Sequence, residues 1–259
     1  DIADVLEIRE LEEKKISLIC NNKDLATDET NLIYKAIVLL QKEAGKDLGI
    51  ELSLEKNIPM EAGMAGGSAD AAATLKAVNE LFKLNISKDR LMELGASLGA
   101  DIPFCIMGGT ALASGIGEKL KSLKPLPKMK ILIAKPNTGL STKKVYESLD
   151  IENLNKSGFR HRDVKEMVSV IESDKDEKTK IKEIADSLNN ILELPSIKLL
   201  PFIEDIKKTM MDNNCLGCLM SGSGTAVFGI FDSDKDMLRT KKILKEDDRI
   251  NYIQITNTL

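Results

Sequence analysis

The chain has 259 residues, of which 42% are hydrophobic and 30% charged, and a formal net charge of −4. This composition is typical of a folded protein and excludes a largely disordered chain. Acidic and basic residues are interspersed and aromatic residues make up only 3%, which argues against nucleic-acid binding. No apolar run reaches membrane-spanning length. We therefore predict a cytoplasmic protein, monomer or homodimer, that contacts neither nucleic acid nor a membrane.

The first half of the chain alternates predicted strands and helices. Alternating apolar and polar residues predict strands over 1–9 and 16–20, which we expect to form an antiparallel pair. An apolar stripe predicts a helix from Thr30 to about Gly45, and a strand over 50–56 follows. Beyond a glycine-rich loop, we predict helices over 68–82 and 88–98, a new element from residue 100, and paired strands over 110–114 and 118–123.

The second half begins with a predicted buried strand over 130–134. Helices are predicted over 142–149, 164–171, 180–192, 202–212 and 234–245, with a hairpin over 217–231 and a last strand over 252–255. His161, the only histidine, is predicted to be a surface residue. The chain length and the order of the predicted elements indicate two lobes, over 1–130 and 131–259.

One stretch combines a glycine-rich loop with the start of an alanine-rich helix. Glycines let backbone N–H groups approach a ligand, and a helix N-terminus adds unpaired amides and partial positive charge. A phosphate site is therefore expected. Ser68 is either an N-cap or a contact to phosphate or Mg²⁺. The predicted phosphate-binding residues are Pro59, Met60, Glu61, Ala62, Gly63, Met64, Ala65, Gly66, Gly67, Ser68 and Ala69.

Asp101 precedes Pro103 at the start of a new element, and two interpretations remain open. Its carboxylate either caps a short helix or lies near a substrate hydroxyl during phosphoryl transfer.

A second loop of small residues lies between two short apolar strands. It is either a flexible turn or a site where the backbone approaches an anionic group, and it consists of Ser221, Gly222, Ser223, Gly224 and Thr225. The nearby Cys215 and Cys218 have the spacing of metal ligands, but without a second ligand pair we do not expect zinc.

These motifs, in this order, resemble those of the galactokinase, homoserine kinase, mevalonate kinase and phosphomevalonate kinase (GHMP) superfamily. The blocks that carry the resemblance are 59–73, Leu98–Phe104 and 220–225. The block Gly-Ala-Asp-Ile-Pro-Phe, with Asn31–Ala36 upstream, looks most similar to the 4-diphosphocytidyl-2-C-methyl-D-erythritol kinase family.

The resemblance implies an α+β fold, with an N-terminal lobe like domain 2 of ribosomal protein S5 and a ferredoxin-like C-terminal lobe. It implies ATP and Mg²⁺ at the 59–69 loop, a catalytic role for Asp101, and a small-molecule substrate beside 221–225. The implied reaction transfers the γ-phosphate of ATP to the 2-hydroxyl of the diphosphocytidyl substrate in non-mevalonate isoprenoid biosynthesis. Family position also suggests Asn31 as a contact to adenine.

Family members open with a strand that carries a catalytic lysine, followed by a Gly-Tyr-His segment, and the printed sequence contains neither. We expect a truncation of roughly twenty to thirty residues, as the family comparison implies, and a chain that is inactive as printed. The alternatives are another GHMP-type kinase, of the homoserine or mevalonate type, and a truncated nucleotide-binding protein without catalysis.

Overall fold

The computed structural model describes residues 2–150 and 163–259, so His161 lies outside the described residues. The chain divides into two compact units. Residues 2–58 and 65–122 form the N-terminal unit, and residues 59–64 join those from 123 onward in the C-terminal unit. The predicted boundary between residues 130 and 131 stays a prediction.

The N-terminal unit is built on a three-stranded sheet of β1 (Val5–Glu10), β2 (Ile16–Cys20) and β3 (Ile50–Glu55). The strand order is β1-β3-β2, with β1 antiparallel and β2 parallel to β3. The expected antiparallel pairing of the first two strands is therefore wrong. The strand after the first helix lies between them because its apolar face, Leu52 and Leu54, is completely buried.

Four helices complete this unit together with a small hairpin: α1 (Leu32–Ala44), α2 (Gly66–Leu81), α3 (Lys88–Leu98), α4 (Ile102–Met107), β4 (Ala111–Ser114) and β5 (Lys119–Ser122). Asn31 caps α1, since its Oδ1 accepts a hydrogen bond from the Ile33 N–H at 2.8 Å. Helices α1 and α2 pack against each other, and their buried residues, including Ile37 and Leu75, share one core with the apolar residues of β3. The core thus fixes α2, the helix that follows the glycine loop.

The C-terminal unit contains a four-stranded antiparallel sheet of β6 (Lys130–Pro136), β7 (Gly217–Met220), β8 (Val227–Phe231) and β9 (Ile250–Asn257). The order is β7-β8-β6-β9, which leaves β7 at an edge. The predicted hairpin over 217–231 is confirmed as β7 and β8. Over residues 123–150 and 163–259, the described helices are α5 (Thr142–Glu147), α6 (Val164–Glu172), α7 (Glu177–Ser187), α8 (Glu193–Leu199), α9 (Phe202–Asp212) and α10 (Asp234–Lys245).

The helix predicted over 180–192 ends early, at Ser187. Leu188 adopts an extended backbone, and the Asn190 side chain accepts a hydrogen bond from the Leu192 N–H at 3.0 Å. This local turn competes with helix continuation, as asparagine side chains often do. A separate helix, α8, then begins at Glu193.

The α+β class is confirmed by the helices and sheets of both units. Within the parts of the chain that the structure describes, none of the helices combines the length and the apolar character that a bilayer span requires.

Candidate active site

The N-terminus of α2 is uncapped, and we call it the candidate anion cradle. Ala65, in a left-handed conformation with φ of 51°, precedes this 16-residue helix and provides no side-chain cap. Among the described residues, the N–H groups of Gly66, Gly67 and Ser68 have no acceptor, and neither does the Ser68 hydroxyl; the first helical bond runs from Ala69 N to Ala65 O. Three unpaired amides at the positive end of a helix dipole are suited to binding phosphate oxygens.

A buried charge cluster lies under this cradle, and sequence reasoning missed it. Lys56 Nζ lies 2.9 Å from Asp70 Oδ2 and also donates to Asp4. The three side chains are only 4%, 4% and 3% exposed, respectively. Asp4 also accepts hydrogen bonds from the N–H groups of Asn57 and Ile58, at 2.6 and 2.8 Å. The cluster therefore ties the start of β1, the approach to the loop and the first turn of α2 together.

Burial and hydrogen bonding together shift the pKa values of the two acids of this cluster in opposite directions. Burial raises the pKa of Asp70 to about 6, although the Lys56 ammonium opposes that rise. Burial would also raise the pKa of Asp4, but its hydrogen bonds from Lys56, Ile58 and Asn57 bring that pKa below its ordinary value. Asp70 Oδ1 is buried without a hydrogen-bond partner among the described residues, which is consistent with the higher proton affinity of this carboxyl.

Asp101 stands at the N-cap position of α4, but its side chain accepts no capping hydrogen bond. The Ile102 N–H donates to Gly99 O instead, at 3.2 Å, and Pro103 has no N–H to donate. Asp101 is exposed, and its carboxylate has no hydrogen bond or ion pair within the described parts of the chain. The predicted N-cap position of Asp101, before a short helix that starts at Ile102, is confirmed, but the side chain makes no capping hydrogen bond. The carboxylate remains available to a ligand, on a helix that packs against α2.

The first half of the glycine loop pairs with the second small-residue loop, inside the C-terminal unit. Ser221 Oγ donates to Gly63 O at 2.9 Å. The N–H groups of Thr225 and Ala226 donate to Glu61 O and Ala62 O, both at 3.2 Å. The predicted phosphate-binding and substrate-side residues are thus brought together over Glu61–Gly63.

The hydroxyl groups of this second loop have protein partners of their own. Ser223 Oγ lies 2.8 Å from Thr142 Oγ1 at the start of α5. Thr225 Oγ1 donates to Thr138 O at 3.0 Å. Because these contacts fix the loop, the interpretation as a flexible turn is not supported.

The predicted site residues are divided between the two units at the bond from Met64 to Ala65. Residues 65–69 belong with Asp101, and residues 59–64 belong with 221–225. Asn31, suggested as an adenine contact, has both polar side-chain atoms engaged: besides capping α1, its Nδ2 donates to Ala26 O at 2.6 Å.

The end of the helix predicted over 180–192 is not helical in the structure, and Asn190 there contacts the second loop. Asn190 Nδ2 donates to Met220 O and Gly222 O, both at 2.8 Å. Glu193 accepts from the Met220 N–H at 2.8 Å. The adjacent asparagines 189 and 190 are a turn signal that could have identified the end of the preceding helix, but not these contacts.

A cavity of about 480 Å³ lies on one face of the C-terminal sheet. Its lining is almost wholly apolar and reaches Met64 and Ser221; the sheet and helix residues around it include Ile131, Ile133, Phe228, Ile230, Met167, Ile171 and Ile184. Such a lining offers no charge to a triphosphate, so the cavity is chemically distinct from the cradle.

Among the described residues, no group of three or more His, Cys, Asp or Glu side chains could hold a metal ion. Mg²⁺ in nucleotide sites is commonly bound by few protein groups and by the phosphates themselves. The unpaired Ser68 hydroxyl beside the cradle amides fits that requirement.

Two family models match this chain: the GHMP kinases N terminal domain over residues 31–109 and the GHMP kinases C terminal domain over residues 168–247. A 4-diphosphocytidyl-2-C-methyl-D-erythritol kinase from Caldicellulosiruptor bescii is 44% identical over 245 residues, 95% of this chain and 82% of that protein. The enzyme of the same name from Clostridioides difficile is 44% identical over 254 residues, 98% of this chain and 83% of that protein.

Solved structures agree with these matches. A crystal structure of 4-(cytidine 5'-diphospho)-2C-methyl-D-erythritol kinase superposes with a TM-score of 0.76 at 29% identity, covering 98% of this chain and 86% of that one. Homoserine kinase from Cytophaga hutchinsonii, at 21% identity, has a TM-score of 0.78 over 99% of this chain and 85% of that one, and shows the shared fold. The chain therefore belongs to the GHMP kinase family and, within it, to the 4-diphosphocytidyl-2-C-methyl-D-erythritol kinases.

Proposed function

We propose that this protein transfers the γ-phosphate of ATP to the 2-hydroxyl of 4-diphosphocytidyl-2-C-methyl-D-erythritol, a step of non-mevalonate isoprenoid precursor biosynthesis. The substrate is supported by relatives that match 95% and 98% of this chain and are named as kinases of this compound. The observation that carries the proposal is the open N-terminus of α2, with three unpaired amides and an unpaired serine hydroxyl. An uncommitted carboxylate on the adjacent α4 supports it further.

In this mechanism the Gly66, Gly67 and Ser68 amides bind phosphate oxygens and offset their charge. Phosphoryl transfer relies mainly on positioning and on electrostatic stabilisation of the transferring group. Mg²⁺, held by Ser68 and by the phosphates, would neutralise further charge. Pro59–Met64 forms the approach to the cradle and carries the hydrogen bonds to the second loop.

Asp101 acts on the acceptor. Its carboxylate orients the substrate hydroxyl and accepts its proton as the bond to phosphorus forms. We assign the loop Ser221–Thr225 to the substrate side of the reaction, as the family resemblance implies. The absence of any hydrogen bond to the Asp101 carboxylate from the described residues supports this role, because a capping side chain would have to break its bond before it could act.

The test is ADP release coupled to a spectrophotometric assay, using protein expressed from the complete reading frame. The diphosphocytidyl substrate, homoserine and mevalonate are compared as acceptors, with an acceptor-free control. Turnover with the first alone is expected. Turnover with homoserine or mevalonate instead would replace the proposed substrate, and ATP binding in calorimetry without turnover on any acceptor would favour a nucleotide-binding protein without catalysis.

A further inference from the structure

Side chains of the segment 190–196 form hydrogen bonds with the loop Ser221–Thr225 and with Met220, the residue before it. Asn190 uses every part of its amide group there. Its Nδ2 donates to Met220 O and Gly222 O, and its Oδ1 accepts from the Leu192 N–H. An amide with donors and acceptor all engaged has one orientation only. Asn190 therefore fixes the positions of the carbonyl groups of Met220 and Gly222.

Glu193 holds the neighbouring N–H group. Its Oε1 accepts from the Met220 N–H at 2.8 Å, and Lys207 Nζ lies 2.6 Å from both of its oxygens. Glu193 is only 8% exposed. A buried carboxylate needs a charged partner and hydrogen bonds to offset its desolvation, and Lys207 with the Met220 amide provides both.

The need for these contacts follows from the sheet order. β7 is an edge strand, so the outward N–H and C=O of Met220, its last residue, have no strand partner on that side. Glu193 and Asn190 satisfy these two groups. The chain then turns through Gly222, with φ of 53°, and Ser196 Oγ donates to Ser223 O at 3.4 Å. The segment 190–196 thus contacts the loop at Met220, Gly222 and Ser223.

We propose that Asn190 and Glu193 are positioning residues for the acceptor side of the reaction. They touch the loop rather than the substrate, and they fix the backbone of Ser221–Gly224 inside the C-terminal unit. This inference rests on the proposed function, in which that loop lines the substrate path. Displacing such a loop by about 1 Å can cost on the order of 100-fold in rate.

The test variant is Asn190→Asp, which keeps the size of the side chain but replaces both donors with an acceptor facing two carbonyls. The matched control is Asn213→Asp, because Asn213 is also half-buried in the C-terminal unit and donates its Nδ2 to a backbone carbonyl, Thr209 O, away from the loop. Glu193→Gln serves as the conservative variant: it retains an acceptor for the Met220 N–H but loses the charge and one of the two oxygens that accept from Lys207.

For Asn190→Asp we expect kcat/KM for the acceptor to fall on the order of 100-fold, with the dissociation constant for ATP within about twofold of wild type. The kcat/KM for the acceptor should fall less in Glu193→Gln, and it should be unchanged in Asn213→Asp. Amide hydrogen exchange at Ser221–Thr225 should quicken in Asn190→Asp while exchange in α2 stays unchanged.

Wild-type acceptor kinetics and loop exchange in Asn190→Asp would overturn the proposal. So would a parallel loss of ATP binding, acceptor kinetics and thermal stability, which would indicate a structural role only. If the wild-type protein phosphorylates none of the acceptors, the proposed function fails. Loop exchange then decides this inference separately: local quickening supports the positioning contacts, and unchanged exchange rejects them.

Discussion

Ser221 donates its side-chain hydroxyl to the backbone carbonyl of Gly63 at 2.9 Å, although the two residues are 158 positions apart in the chain. Gly63 has φ of 69°, and a Cβ added there would lie 2.0 Å from Ser221 O. The approach of the two loops therefore requires glycine at this position, for backbone conformation and for space.

Gly63→Ala should therefore destabilise the protein by more than the cost of a left-handed alanine, which is roughly 1–2 kcal/mol. Gly45→Ala is the matched control, because Gly45 has φ of 61° but no atom within 4 Å of its added Cβ. Denaturant unfolding of both variants separates the steric cost from the conformational cost. Equal losses in the two variants would mean that the loops separate without penalty.

The two glycines that begin α2 should respond differently to alanine. A Cβ on Gly66 would lie 2.9 Å from Lys56 Nζ and from Ile58 Cγ2, and the ammonium is fixed by two buried carboxylates. We expect Gly66→Ala to cost about 1–3 kcal/mol. On Gly67 the nearest atom is Leu32 Cδ1 at 3.7 Å, so Gly67→Ala should keep or raise stability through helix propensity.

Gly67→Ala should nevertheless weaken ATP binding, since its Cβ lies among the amides of the proposed cradle. Unfolding measurements first show that the variant is folded. Isothermal titration with ATP then measures whether its ATP affinity is lower than that of the wild type. Wild-type ATP affinity in Gly67→Ala would contradict the placement of phosphate at the N-terminus of α2.

Asp101→Asn should lower kcat by about 100-fold to 10,000-fold, because the amide cannot accept the proton of the substrate hydroxyl. Stability should change by less than about 0.5 kcal/mol, since the carboxylate makes no hydrogen bond to the described residues. Asp89→Asn, at an exposed acid in the first turn of α3, is the control for a lost surface charge. A near-full rate for Asp101→Asn would remove this residue from the mechanism.

Asp70 should make stability depend on pH between about pH 4 and pH 6. Burial raises its pKa from 3.8 to about 6, so the folded protein binds a proton more tightly than the unfolded chain. The unfolding free energy should therefore fall as pH rises through this window, by on the order of 2–3 kcal/mol, and level off above it. Asp4, whose pKa is lowered, contributes in the opposite direction and only below its ordinary value of 3.8.

The measurement is the difference in unfolding free energy between wild type and Asp70→Asn across pH 4 to 7. Asparagine keeps an acceptor for Lys56 but does not titrate. The unfolding free energy of the variant minus that of the wild type should therefore increase toward pH 6 and then stay constant. A difference that is independent of pH would show that Asp70 titrates normally in the folded state.

Local features of the site were predictable from sequence. The glycines before an alanine-rich helix indicated a helix N-terminus, and the order of three motifs indicated the family. Most strands and helices followed from periodicity, because alternating or helical spacing of apolar residues reports which face is buried. The hydrogen-bond partners of individual side chains could not be predicted from the sequence. The Asn190 side chain forms a local turn within a segment predicted to be helical, and the Asp101 side chain makes no capping hydrogen bond.

The sequence by itself determined the location of the uncapped helix N-terminus that we propose as the phosphate cradle, since glycine content, helix propensity and helix dipole act within a few neighbouring residues. The tertiary structure alone decided that β3 lies between β1 and β2, that Lys56 joins Asp4 to Asp70, and that Asn190 and Glu193 hold the second loop. These relationships join residues that are distant in the chain. Their energies depend on burial and on the exact approach of polar groups, which exist only after the cores have packed.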